Sequence, residues 1–209
     1  MDILIADDHA VMRRGLREIL ADALPFADFA EVSTGDQVLR HLAKSPPQLL
    51  VLDVNIPGRS GLDVLHDVKR LYPRLPVIML STLPAGEYAL RCLRAGASAC
   101  IGQESASEEL AQAARKALAG GRYVSPDLAE KLVAGIHRPA NKPLHELLSD
   151  REHEVMRMIA AGLPLTEIAV RLCVSVKTVS TYRTRLLEKM QMKSNAELIR
   201  YALANALIE

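Results

Sequence analysis

Short runs of consecutive apolar residues alternate with longer amphipathic stretches over the first 120 residues. Ile3–Ala6, Phe29–Val32, Leu49–Asp53, Val77–Leu80 and Ala99–Ile101 have the length and apolar content of buried strands. Between and after them, Val11–Ala23, Gly35–Ala43, Gly61–Leu71, Pro84–Ala95 and Ser107–Ala119 place apolar residues three and four apart, the spacing of a helix with one packed face. Five βα units in succession predict an α/β domain over residues 1–120, a (βα)5 doubly wound parallel sheet covered by helices on both faces. Sites in such sheets form at the carboxyl ends of the strands. Asp7, Asp8 and Asp53 fall there, at the ends of the first and third strands.

The pattern changes after Gly120-Gly121. Residues 121–146 hold Pro126, Pro139, Pro143 and the polar stretch from His137 to Pro143, which predicts a linker with a short helix over Asp127–Ala134. From 147 to 209 the periodicity is purely helical and predicts a small all-α domain of four helices, near 150–161, 165–172, 176–190 and 195–207. Ser149 with Glu152 forms a capping box, and Ser175 is placed to cap the third helix. On that third helix Val176, Val179, Leu186 and Met190 share one face, with Lys177, Ser180, Thr181, Thr184, Arg185 and Glu188 opposite and Arg183 near the packed side. On the last helix Ala196, Ile199 and Leu203 are expected in the core, leaving Leu198 and Tyr201 partly free to pair two copies.

Hydrophobic residues at 49% and charged residues at 24% suit packed cores and exclude extended disorder. The start lacks a basic segment, and no apolar run approaches the ~20 residues of a membrane span, so the expected location is cytoplasmic with no membrane partner. Cys92, Cys100 and Cys173 are odd in number and form no CxxC pair, which favours buried reduced thiols over disulfides or zinc. Charge is uneven: residues 1–120 carry 13 Lys/Arg against 15 Asp/Glu, whereas residues 165–193 carry six cations against two carboxylates. A basic stretch on a helix offering short polar side chains suits the DNA major groove, where Ser and Thr reach base edges and Lys or Arg hold phosphates.

Three carboxylates gathered at one sheet edge repel one another and want a cation. Mg²⁺ fits, being a hard ion that takes oxygen ligands and keeps waters a phosphoryl group can replace. Asp53 ends an apolar strand and so stands on a rigid support, from which its carboxylate can attack a phosphoryl donor. Pro57, Gly58 and Gly61 follow as turn residues.

Leu4-Ile5-Ala6-Asp7-Asp8-His9, with Leu52-Asp53-Val54-Asn55-Ile56-Pro57-Gly58 and Gly61, resembles the receiver domain of two-component response regulators. The resemblance implies that Asp53 is the phosphoacceptor, that Asp7 and Asp8 are metal-site acids, that the Asn55 backbone carbonyl is a further ligand and that Ser81 is the switch hydroxyl. His9 is not a ligand on this reading. Two positions depart from the family: Gln103 stands at the usual lysine and Cys100 at the usual aromatic residue. An amide gives the phosphoryl oxygens a weaker contact than an ammonium, and a small thiol cannot act as the rotating ring of the switch.

Leu148-Ser149-Asp150-Arg151-Glu152, Gly162-Leu163, Glu167-Ile168-Ala169 and Ser175-Val176-Lys177-Thr178-Val179-Ser180-Thr181-Tyr182 are similar to the LuxR-type helix-turn-helix. Receiver and helix-turn-helix in this order are the architecture of the NarL/FixJ response regulators. It implies double-stranded DNA, a sensor histidine kinase or small phosphoryl donor, a second copy of the chain and RNA polymerase as partners, with Lys177, Ser180, Thr181, Thr184, Arg185 and Lys189 at DNA. Two other readings compete. A Mg²⁺-dependent phosphohydrolase needs a general acid two residues after its nucleophile, where this chain has Asn55. A phosphorylation-independent regulator would keep the receiver for dimerisation, a reading that Gln103 and Cys100 keep open.

Overall fold

A fully buried strand, β3 (Leu49–Asp53), lies at the centre of a five-stranded parallel sheet in the computed structural model of the chain. The structure describes residues 1–57, 59–81, 87–126, 128–130, 143–205 and 207–208. The chain divides into two units, Met1–Arg138 and Pro139–Glu209.

The first unit runs β1 (Asp2–Ala6), α1 (Ala10–Ala23), β2 (Asp28–Val32), α2 (Gly35–Lys44), β3, α3 (Gly61–Leu71), β4 (Val77–Ser81), α4 (Glu87–Arg94), β5 (Ala99–Gly102) and α5 (Ala106–Leu118). Strand order is β2-β1-β3-β4-β5, so successive crossovers diverge on either side of the β1/β3 pair. That is the switch point at which doubly wound sheets open a crevice beyond their strand ends. Ala6 pairs with Leu52 and Asp53 with Leu80, which brings the ends of β1, β3 and β4 side by side. Alternate residues of the strands feed two cores. Leu4, Leu50, Leu52, Met79 and Cys100 pack with α2, α3 and α4, whereas Ile3, Ile5, Val51, Ile78 and Ile101 pack with α1 and α5. Truncating one such leucine to alanine typically costs about 2–5 kcal/mol, which makes the strand ends a stiff platform. The expected helix start at Pro84 and most of the short helix over Asp127–Ala134 lie outside the described residues; Pro126 and Leu128–Glu130 are helical.

The second unit holds a 3-10 turn (Leu144–Leu147) and α6 (Asp150–Ala160), α7 (Leu165–Arg171), α8 (Val176–Lys189) and α9 (Asn195–Ala204). The Ser149–Glu152 capping box is present, and Ser175 accepts from Thr178 N–H at the start of α8. The apolar face of α8 is Val179, Leu186, Leu187 and Met190; Val176 is exposed and Leu187 takes its place. The faces of α9 are the reverse of the expected ones. Leu198 and Ala202 are buried, and Tyr201 packs on the core while its hydroxyl lies 2.7 Å from His145 Nδ1. Ala196 and Leu203 face outward. With apolar residues on two faces, packing against the 3-10 turn decides which face turns in. Cys173 is likewise exposed, in the turn between α7 and α8 at φ 52°, a left-handed conformation that keeps its side chain out of the core. Cys92 and Cys100 are buried free thiols. Among the described residues no helix is long and apolar enough to cross a membrane.

Candidate functional site

Asp7 and Asp53 are buried where β1 and β3 end, and Asp8 is partly exposed beside them. Burial, followed by the charge of Asp7, pushes Asp53 up to about 6. The main-chain N–H groups of Asn55 and Val54 beside its carboxylate offset part of that rise. Asp7 is raised as well, first by burial and then by Asp8, against hydrogen bonds from His9 that lower it. One carboxylate oxygen of Asp7 accepts the His9 N–H at 2.7 Å, while Oδ2 is buried with no hydrogen-bond partner. A buried carboxylate oxygen left this way among other acids suits a hard cation. The ligand atoms of Asp7, Asp8 and His9 lie within 4.8 Å of one another, and His9 Nδ1 is 2.7 Å from Asp8 Oδ1. The cluster could therefore hold a metal ion.

Ser81 ends β4 and is buried, one residue beyond the partner of Asp53. Its carbonyl accepts the main-chain N–H of Gln103 at 2.9 Å. That bond brings the Gln103 side chain to the end of β3, and Nε2 donates to Asp53 Oδ1 at 3.2 Å. The loop after Asp53 is tightly folded: Gly61 N–H donates to Val54 O at 2.9 Å, and a Cβ on Gly61 would stand 2.3 Å from the Asp53 carbonyl oxygen. Only glycine fits there without moving Asp53. Ser60 caps α3 by accepting from Leu62 N–H. One contributor is not evident from the sequence: Arg13 donates from Nη1 to the Asp7 carbonyl at 2.8 Å and from Nε to Glu31 at 3.1 Å, anchoring the end of β1. Its position on the first turns of α1 is the signal that could have found it.

On α8, Lys177, Ser180, Thr181, Thr184, Arg185 and Lys189 are all exposed. Thr181 and Thr184 donate to the carbonyls of Lys177 and Ser180, which fixes the hydroxyls while leaving their oxygens free to accept. Ser175, Lys177, Thr178, Thr181, Tyr182 and Arg185 line a hollow of about 300 Å³, which places Thr178 and Tyr182 beside the expected residues. Lys189 Nζ donates to Glu152, and Arg183 donates to Asn195.

Residues 3–115 match the model of the response regulator receiver domain, and residues 146–202 match that of the bacterial regulatory proteins of the luxR family. The chain is 30% identical to the response regulator GacA of Pseudomonas protegens over 99% of its length and 97% of that relative. It is 33% identical to the oxygen regulatory protein NreC of Staphylococcus carnosus, over the whole of both. Among solved structures it resembles RcsB of Salmonella enterica serovar Typhimurium bound to promoter P1flhDC with the phosphomimetic BeF3⁻. That match has 28% identity and a TM-score of 0.67, and covers 96% of this chain and 97% of that one.

Proposed function

Because this chain belongs to the response regulators that carry a receiver domain followed by a LuxR-type DNA-binding domain, we propose that it accepts a phosphoryl group on Asp53 and binds operator DNA through α8. The receiver spans residues 1–120, the linker 121–146 and the DNA-binding domain 147–209. The observation that carries the acceptor assignment is the buried carboxylate of Asp53, raised to about 6 beside Asp7 and Asp8, with an orphaned oxygen on Asp7.

Asp7, Asp8, Asp53 and the Asn55 carbonyl would hold Mg²⁺, which neutralises the crowded carboxylates and the incoming phosphoryl oxygens. Asp53, on the rigid end of β3, presents its carboxylate to the donor, a sensor kinase or a small phosphoryl compound. Ser81 is the hydroxyl that turns toward the acyl phosphate, and Gln103 offers N–H to the same group.

At DNA, Lys177, Arg185 and the hollow that they share with Thr178 and Tyr182 take phosphates, while Ser180, Thr181 and Thr184 meet base edges. Lys189 reaches a phosphate from its ion pair with Glu152. The RcsB structure bound to a promoter supports this use of the second domain. Two copies pair on DNA through the outward face of α9, Ala196 with Leu203, in the cytoplasm and alongside RNA polymerase.

Labelling the full chain with a radioactive small phosphoryl donor tests the acceptor. The expected result is a Mg²⁺-dependent, hydroxylamine-labile label absent from Asp53→Asn; a label that survives that change refutes the assignment. A second reading, regulation independent of phosphorylation, is favoured by the neutral Gln103 amide on Asp53.

A further inference from the structure

The chain beyond α5 does not leave the first unit directly. Gly121 N–H donates to Lys116 O at 2.9 Å, and Tyr123 N–H donates to Ser98 O at 2.8 Å, at the foot of β5. Tyr123 packs in the core shared with α1 and α5, where burial, and then the charge of Glu109 of α5, raises its hydroxyl above the usual range. The next residue, Val124, packs against the other core, and Leu128 is fully buried in it. Successive residues on opposite faces of one sheet mean that the chain rounds its edge, and β5 is the edge strand on that side. Ser125 secures the far end, its Oγ accepting Leu128 N–H at 3.4 Å and its carbonyl accepting Ala129 N–H at 2.9 Å.

The core that receives Leu128 also contains Tyr88, Ala89, Cys92 and Leu93 of α4 and Cys100 of β5. Cys100 faces that side because its neighbours Ala99 and Ile101 face the other. A thiol leaves room that a ring would fill, and the segment after α5 brings in a leucine. We infer that residues 121–126 and 128–130 form an intramolecular strap in which Leu128 pins α4 against β5. In this role Leu128 ties the position of α4, the helix following the switch hydroxyl Ser81, to the chain leading to the DNA-binding domain. The coupling to Asp53 rests on the proposed acceptor role; the strap itself does not.

Hydrogen exchange on the full-length protein tests both parts. Leu128→Ala should speed exchange across α4 and residues 121–130 by roughly tenfold or more, because local opening is limited by packing of this kind. Ser125→Ala, which removes one capping bond and leaves the core intact, should move the same segments less, with α1 unchanged in both. If α4 exchanges at the wild-type rate in both variants, the strap does not hold it and the inference is overturned. Beryllofluoride with Mg²⁺ should loosen 121–130 in the wild type and leave Leu128→Ala with little further change. If residues around Asp53 become protected while 121–130 and α4 do not respond, the coupling is refuted. If beryllofluoride leaves the Asp53 region unaffected, the acceptor reading fails, and the comparison of variants still decides the strap.

Discussion

Lys189 Nζ and Glu152 Oε2 are 2.6 Å apart, joining the end of α8 to the start of α6 across 37 residues. Glu152 is buried and already serves the capping box through Ser149 N–H. Burial alone would raise its carboxyl; bonds from Lys189 and Ser149 outweigh that and hold it below the usual range. Lys189→Gln should therefore destabilise the DNA-binding domain by about 1–2 kcal/mol, discounted because the lysine is partly exposed. The loss should be present at neutral pH and fade as acid titrates Glu152 through its depressed folded value. Lys177→Ala, which removes an exposed side chain rather than the partner of a buried carboxylate, should weaken DNA binding without lowering the melting temperature. Both should flatten the salt dependence of binding, by about 0.9 in the log–log slope for each phosphate no longer neutralised.

Asp53 carries the opposite sign. Its folded value, raised to about 6 by burial and by Asp7, lies above that of the unfolded chain. The folded state thus keeps a proton that the unfolded state releases, and stability falls as pH rises from the ordinary carboxylate range through about 6. Without metal, Asp53→Asn should stabilise the receiver at neutral pH by up to roughly 3 kcal/mol and have little effect in strong acid. Urea unfolding with chelator across this range reads the difference; equal stability of the two proteins at neutral pH would contradict it.

The sheet and its acids were legible in the sequence. Leu49-Leu50-Val51-Leu52 reads as a buried strand because unbroken apolar runs of that length fit a parallel sheet, and Asp7 and Asp53 directly follow such runs. Periodicity carries no trace of pairings between distant residues: Gln103 is placed beside Asp53 only by the family resemblance, and Lys189 meeting Glu152 was not legible. The last helix misled because Leu198, Ile199, Tyr201 and Leu203 spread apolar surface around it, and docking of His145 on Tyr201 selected the inner face.

Cys173 occupies a left-handed turn position at φ 52°, where its N–H donates to Val170 O. A side chain costs about 1 kcal/mol in that region, and glycine avoids the cost. Cys173→Gly should raise the stability of the DNA-binding domain by up to about 1 kcal/mol, measured by thermal unfolding under reducing conditions.

Leu203 is 54% exposed on α9, on the side opposite Leu198 and Ala202. If two copies pair there, Leu203→Asp should leave the melting temperature unchanged and weaken binding to a two-half-site operator by roughly tenfold or more. Binding to a single half-site should be untouched. Sedimentation of the protein–DNA complex distinguishes one bound copy from two.

Gln103 Nε2 donates to Asp53 Oδ1 at 3.2 Å, so a neutral amide occupies the place where receivers carry an ammonium. In the resting site the Gln103 amide brings no positive charge to the three carboxylates, whereas a lysine would compete with Mg²⁺ for them. Gln103→Lys should bind Mg²⁺ more weakly. Once the acyl phosphate adds negative charge, an ammonium makes a charge-assisted bond about twice as strong as the amide's, and it does so only in the state where the phosphoryl group is present. The variant's two-state equilibrium should therefore shift further on phosphorylation, each ~1.4 kcal/mol of differential stabilisation giving tenfold. Operator affinity with and without beryllofluoride, after Mg²⁺ titration of each protein, measures the two effects separately. Wild type should gain less on DNA than Gln103→Lys despite holding Mg²⁺ more tightly. A wild-type gain equal to the variant's would mean that another group supplies the missing charge, and the attenuated switch would have to be abandoned.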